Sequence, residues 1–171
     1  MVFMIERLKI PAARIAVLVG AQGSVRREIE KKLKVKLTID EEISIEGDAL
    51  NVMDATNIVT AIGRGFAPQN ALKLTDENNT FAVVYLPNDE KKLKRLKSRI
   101  IGEGGRSREN LERLTNTNIS VFGKTVSIIG EYESVKDLTD AIGMFIKGFS
   151  HRAIYAFLER QNLKRRQTFD E

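Results

Sequence analysis

Four residues offer the clearest chemistry in this sequence: Gly102, Glu103, Gly104 and Gly105, within the string IIGEGGRSREN at 100–110. Glycine has no Cβ and takes positive φ at little cost, so a Gly-x-x-G turn brings bare backbone close to a ligand. A helix starting after such a turn has unbonded N–H groups in its first turn, which attract phosphate. Cations stand on both sides, Lys97 and Arg99 before the turn and Arg106 and Arg108 after it, with Ser107 between the last two. This is equipment for holding the sugar-phosphate backbone of a nucleic acid. Residues 91–113 hold nine Lys and Arg against three acidic residues, whereas residues 1–70 hold ten against nine. A basic run alone reads as a solvated helix face. One that brackets a phosphate-sized turn reads as a footprint for a polyanion, with salt-dependent binding.

Catalysis has no comparable set of residues. There is no cysteine, and His151 is the single histidine, which excludes thiolate metal sites, histidine clusters and a Cys–His pair. His151 reads as a helix-start or packing residue. The string FGKT at 122–125 has the end of a phosphate-binding loop, but that motif needs glycine where Asn118 stands, so a hairpin turn is the better reading. GEGGRS fails the dinucleotide fingerprint because Ser107 replaces its last glycine. Glu41 and Glu42 sit in a turn without partners. No cofactor and no metal are expected. The rival reading is a nuclease or nucleotide-binding enzyme that would use carboxylates and the FGKT turn with Mg²⁺.

The elements that must position the turn occur twice. A second Gly-x-x-G turn, Gly20, Ala21, Gln22 and Gly23, precedes the first by 82 residues, and Ile29 then falls opposite Leu111. Further along the offset is 83, matching Ile43, Ile45 and Gly47 to Val126, Ile128 and Gly130. The one-residue drift falls in a hairpin turn, where an insertion costs little. An internal repeat of this period means two structural units. Periodicity predicts a strand over 5–10, helices over 12–18 and 24–33, strands over 35–39 and 43–47, and a helix over 49–64 capped by Asp48. The second half repeats the order: strand 80–86, helix 90–100, helix 106–115, strands 118–122 and 125–129, helix 134–147. Residues 67–79 read as a polar linker in which Leu72 and Leu74 can pack. A last helix, 151–166, lies outside the repeat. Its Ile154, Phe157 and Leu158 make one apolar face, and Lys164, Arg165 and Arg166 make a basic end.

The β-α-α-β-β-α order, with a glycine turn between the first two helices, resembles the type I KH domain. RLKSRIIGEGGRSRENLERLTNTNISVFGKTVSIIG is similar to the ribosome-assembly KH proteins of the Partner-of-Nob (Dim/Krr-type) family, in its archaeal-length form. The implied fold is α+β: two tandem type I KH domains, 1–70 and 78–150, with a basic C-terminal helix and tail over 151–171. The implied function is a non-catalytic RNA-binding assembly factor that grips single-stranded RNA near the 3′ end of small-subunit ribosomal RNA. Implied protein partners are the endonuclease that trims that end, or a translation factor. In the second domain Gly102–Gly105 shape the clamp, and Lys97, Arg99, Arg106, Ser107 and Arg108 flank it. Ile101, Ile119 and Val121 would form an apolar floor for bases, and Asn118 and Ser120 would read base edges. Glu103 should face solvent or pair with Arg106 or Arg108, because a carboxylate repels phosphate. The first turn departs from the pattern, since the helix before it carries only Arg14 as a basic residue. Gly20, Ala21, Gln22, Gly23, Arg26 and Arg27, with Lys164, Arg165 and Arg166, are therefore a secondary site for RNA or a partner. The first domain is open to a protein-docking role.

The composition agrees with a charged globular chain: 171 residues, 30% charged, net charge +5. No apolar run approaches membrane-spanning length, and MVFMIERLKI does not resemble a signal peptide, so the expectation is a soluble, cytoplasmic protein without a membrane partner.

Overall fold

A computed structural model describes residues 1–170 and divides into two compact units, the first Met1–Asn79 and the second from Thr80 on. In the first, β1 (Phe3–Leu8), α1 (Ala12–Val19), α2 (Ser24–Leu33), β2 (Lys36–Ile39), β3 (Ile43–Asp48) and α3 (Ala49–Gly63) follow in order. Its sheet is antiparallel in the order β1-β3-β2. The strand expected at 5–10 starts and ends two residues earlier. Its partner β3 begins at Ile43, opposite Leu8, so Lys9 and Ile10 have nothing left to pair with. The Asp48 cap is present: its carboxylate accepts from the Leu50 N–H at 3.2 Å. Val52, Ala55, Ile58, Val59 and Ile62 of α3 are buried, as their spacing predicts.

Residues 67–79 are not a free linker. A short helix α4 (Pro68–Ala71) and a 3-10 turn over Leu72–Thr75 fold back on α3, and Ala71, Leu72 and Leu74 are buried. The polar residues hide this, because three apolar side chains are enough to dock so short a segment.

The second unit repeats the plan with β4 (Asn79–Tyr85), α5 (Glu90–Ile101), α6 (Arg106–Thr115), β5 (Asn118–Phe122), β6 (Thr125–Glu131) and α7 (Tyr132–Lys147). The sheet order is β4-β6-β5. The repeat's one-residue drift has a structural cause. In the first unit Ile39 pairs with Ile43 across three residues, while in the second Phe122 pairs with Thr125 across the two-residue turn Gly123-Lys124. FGKT is thus a tight hairpin, with Gly123 at φ 56°.

Helix α8 (His151–Phe169) has no counterpart in the first unit. Ile154 and Leu158 join the core of Leu96, Ile100, Leu111 and Phe145. At about 2 kcal/mol for each buried aliphatic side chain, α8 is part of this fold rather than a loose tail.

Candidate nucleic-acid interface

The second glycine turn is built by three backbone conformations that suit glycine. Gly102 sits at φ 75°, ψ 173°, and Gly104 and Gly105 at φ 61° and 79°. The Gly102 N–H closes α5 on the Ser98 carbonyl at 2.8 Å, and the Gly105 N–H returns to the Gly102 carbonyl at 3.2 Å. A Cβ on Gly102 would lie 2.8 Å from the Ser107 backbone nitrogen, so no other residue fits there. A Cβ on Gly104 would meet nothing within 4 Å. The tip of the turn is therefore open backbone, and the first N–H groups of α6 follow directly.

Beside the turn runs a groove of about 640 Å³ along α5, lined by Glu90, Leu93, Lys94, Lys97, Ser98, Ile101, Gly102 and Glu103. Leu93 and Ile101 give it an apolar wall, while Lys94 and Lys97 supply cations. Arg106 and Arg108 lie exposed on the α6 side of the turn. Arg108 reaches Glu112 one helical turn on at 3.7 Å, with its side chain 44% exposed, a loose pairing that a stronger anion can displace. Glu103 is exposed and lines the groove, and among the described residues it makes no ion pair with Arg106 or Arg108. The spacing that reveals Glu90, Leu93, Lys94 and Ser98 is the helical stripe counted back from Ile101, which sequence reading left unused.

Other expected site residues have contacts within the fold. Arg99 donates to the Phe149 carbonyl at 2.6 Å and lies over the Phe145 ring at 5.4 Å, closing the end of α7. Arg14 does the same in the first unit, donating to the carbonyls of Ile62 and Phe66 at 2.8 Å each. The acceptors correspond at the repeat offset, 62 to 145 and 66 to 149, although the two arginines do not. Ile119 is a core residue at 4% exposure, and its N–H donates to the Glu112 carboxylate at 3.3 Å. Ser120 is buried, Val121 packs against the core and Asn118 is half-buried, so β5 offers its edge more than an open floor.

Ser107 is buried too, and its hydroxyl meets that of Tyr155 on α8 at 3.2 Å. His151 contacts the Arg99 carbonyl through Nε2 at 2.8 Å and stands edge-on to Phe145, while Asn162 donates to the Leu114 carbonyl at 2.7 Å. Helix α8 thus braces the end of α5 and both ends of α6 from a single face. Sequence reading missed Tyr155 and Asn162, although they share the stripe of Ile154 and Leu158. The basic end divides: Arg165 pairs with the carboxylate of Asp137 and reaches the Ser134 hydroxyl at 3.4 Å, while Lys164 and Arg166 stay exposed.

In the first unit the turn has the same path, with Gly20 at φ 75°, ψ 174° and Gly23 at φ 77°. Gln22 takes the left-handed conformation that Gly104 takes in the second, at φ 54°, ψ 30°. Arg27 folds onto the turn and donates to the Gln22 carbonyl at 2.6 Å, and Arg26 is paired with Glu30 at 2.8 Å. Ala21 is exposed at the tip.

Residues 78–163 match the family model for the second KH domain of Pno1 proteins, a eukaryotic-type, type I KH domain, and residues 5–61 match the KH domain. A KH domain-containing protein of Methanocaldococcus jannaschii is 44% identical over 170 residues, covering 94% of this chain and 75% of that one. The RNA-binding protein pno-1 of Caenorhabditis elegans is 26% identical over 78% of this chain, which spans 49% of its length. A chain of the solved a/eIF2alpha–aDim2p–rRNA complex from Pyrococcus horikoshii superposes with a TM-score of 0.88 at 38% identity, covering 95% of this chain and 96% of that one. The chain therefore belongs to the Pno1/Dim2 family of RNA-binding KH proteins, and is built as two tandem type I KH domains with a C-terminal helix.

Proposed function

We propose that the second KH domain grips single-stranded RNA, with the phosphates passing over Gly102–Gly105 and the bases lying along the α5 groove. The observation that carries this reading is the pairing of an open backbone tip at Gly104 with a groove that has Leu93 and Ile101 as its wall and Lys94 and Lys97 as its cations. An apolar wall beside a phosphate-sized turn suits unstacked bases, which a duplex does not present. The site residues are narrowed accordingly. Lys97, Ile101, the turn itself, Arg106 and Arg108 touch RNA, with Lys94 added, whereas Arg99, Ser107 and Ile119 position them. The edge of β5 at Val121 offers backbone groups to bases.

The relative solved with ribosomal RNA and a/eIF2alpha supports ribosomal RNA and a translation factor as partners for this chain. The 3′ region of small-subunit ribosomal RNA and the trimming endonuclease are what the family resemblance adds to the proposal. The role is assembly without catalysis. Among the described residues no three His, Cys, Asp or Glu side chains gather where they could hold a metal ion. No helix among the described residues is long and apolar enough to cross a membrane, and a cytoplasmic site of action fits an rRNA-bound partner.

The test is a fluorescence-anisotropy titration of a short single strand from the rRNA 3′ end at several salt concentrations. About four neutralised phosphates give a slope of log K against log salt near −3. A flat response, or a preference for duplex, would refute the reading. Stabilisation by ATP and Mg²⁺ instead of by RNA in a thermal-shift scan would favour the enzyme.

A further inference from the structure

Helix α5 has a second basic side, turned away from the groove. At about 100° per residue, Lys94, Lys97 and Ile101 centre on one side of the helix, and Lys92, Arg95 and Arg99 on the opposite side. Leu96 and Ile100 fill the core-facing side between them. The opposite side opens into a concavity of about 560 Å³, shared with the end of α7. Four cations line it, Lys92, Arg95, Arg99 and Lys147, over a floor that includes Leu96 and Phe145, and no carboxylate is among its lining residues.

Local structure does not account for these charges. The Arg99 guanidinium is fixed on the Phe149 carbonyl, which leaves its charge uncompensated by any carboxylate. Lys92, Arg95 and Lys147 join no ion pair among the described residues. Lys147 in the last turn of α7 is favoured by the helix dipole, but Lys91 and Lys92 in the first turn of α5 are opposed by it. Lys92 and Arg95, three residues apart on one helix, also repel one another. Phosphate would relieve each of these terms.

We infer that this pocket is a second phosphate-binding site, which takes the backbone of the same single-stranded RNA after it leaves the groove. The inference rests on the groove reading above. RNA is favoured over an acidic protein because the two basic sides are continuous. Lys91, Lys94 and Arg95 are exposed across the outer side of α5, so a strand crossing a helix about 10–12 Å wide meets cations all the way. The protein would then hold a longer segment than four nucleotides by wrapping it around one helix.

The test compares a four-nucleotide with a twelve-nucleotide single strand, using a variant with Lys92→Gln, Arg95→Gln and Lys147→Gln and leaving Arg99 in place. The four-nucleotide strand should bind within about twofold of the parent, which also shows that the variant is folded. The longer strand should lose about tenfold, and its salt slope should become shallower by roughly 1.5–2, the share of two to three phosphates. Equal losses on both strands, or none on the longer, overturn the inference. So does a loss of binding to a glutamate-rich peptide with RNA binding intact, which would make the pocket an acidic-protein site. A parallel Gly104→Asp variant separates the two readings. If it keeps full affinity for the four-nucleotide strand, the groove reading fails and this one with it.

Discussion

In the first KH domain the backbone runs through φ 75°, ψ 174° at Gly20 and φ 54°, ψ 30° at Gln22; in the second it runs through φ 75°, ψ 173° at Gly102 and φ 61°, ψ 19° at Gly104. The turn is one object made twice. What stands around it differs. The groove positions held by Lys94 and Lys97 correspond, at the repeat offset, to Ala12 and Ile15, and the glycine at the open tip corresponds to a glutamine whose carbonyl is taken by Arg27. The first helix keeps one arginine, Arg14, and spends it on closing α3. A shared backbone therefore does not imply shared binding. The turn permits a phosphate to approach, and the side chains on the preceding helix decide whether one is attracted.

If the backbone is common property, breaking it should harm both domains alike, and this is the largest effect expected. Gly102→Ala and Gly20→Ala each force a Cβ into a region of φ and ψ that is almost reserved for glycine. Each also drives that Cβ to 2.8 Å or 2.7 Å from a backbone nitrogen, of Ser107 or Val25. Chemical denaturation should show a loss of about 3 kcal/mol for either variant, read by probes in its own domain. A large loss in the second domain with none in the first would mean that the first turn is not held in this shape.

Changing the chemistry of the tip while sparing the backbone should separate the domains. Asp at both Glu103 and Gly104 adds one charge and moves another closer to the phosphate path. A side chain at 104 meets no atom within 4 Å, and aspartate is among the residues that tolerate the left-handed φ of 61°, at a cost of about 1 kcal/mol, so the fold should stand. One added like charge at a part-exposed site is worth about 1–2 kcal/mol, so RNA affinity should fall about five- to thirtyfold. The matching pair of changes at Ala21 and Gln22 should cost less than about twofold. Equal losses in a binding titration would place RNA on both turns and erase the distinction drawn here.

Sequence alone was sufficient for much of this. Helices α2 and α6 begin and end where expected, because a glycine turn starts each and a left-handed residue, Lys34 or Asn116, ends it. Hairpins, caps and the buried face of α3 follow from spacing that neighbours in sequence reveal. The basic residues were harder to sort. Arg99 and Arg165 look like Lys97 and Lys164 in composition, yet they answer to carbonyls and a carboxylate about 30–50 positions away along the chain. Ile119 and Val121 alternate with polar residues, which marks a strand without saying which face is covered. Pairing with distant backbone leaves no local pattern, so a charge count overstates the surface offered to RNA. Arg165 is a poor probe of the RNA track, because its loss would also leave Asp137 without its partner in the fold.

The smallest effect is the most direct test of what the preceding helix contributes. Ala12→Lys with Ile15→Lys would give the first turn the cations of the second. Ala12 is exposed and Ile15 half-buried, and lysine can keep its charge in water while its methylenes cover the apolar wall. The change belongs in a chain whose second turn already carries Asp at 103 and 104, so that binding by the second domain does not hide the gain. Two new contacts at an exposed site are worth a little under 1 kcal/mol together, so affinity for a short single strand should rise about threefold. The salt slope should steepen by roughly one. The gain stays small because Gln22 already occupies the open tip that glycine leaves bare in the second domain, and Arg27 holds its carbonyl. Adding Gln22→Gly should then raise affinity further, since it bares the tip and removes a left-handed non-glycine residue, while the backbone carbonyl at 22 still accepts from Arg27. If the two lysines alone restore the affinity of the parent second domain, the side chains of α5 carry the whole difference and the bare tip carries none. If neither step changes binding, the contrast between the domains lies outside their glycine turns.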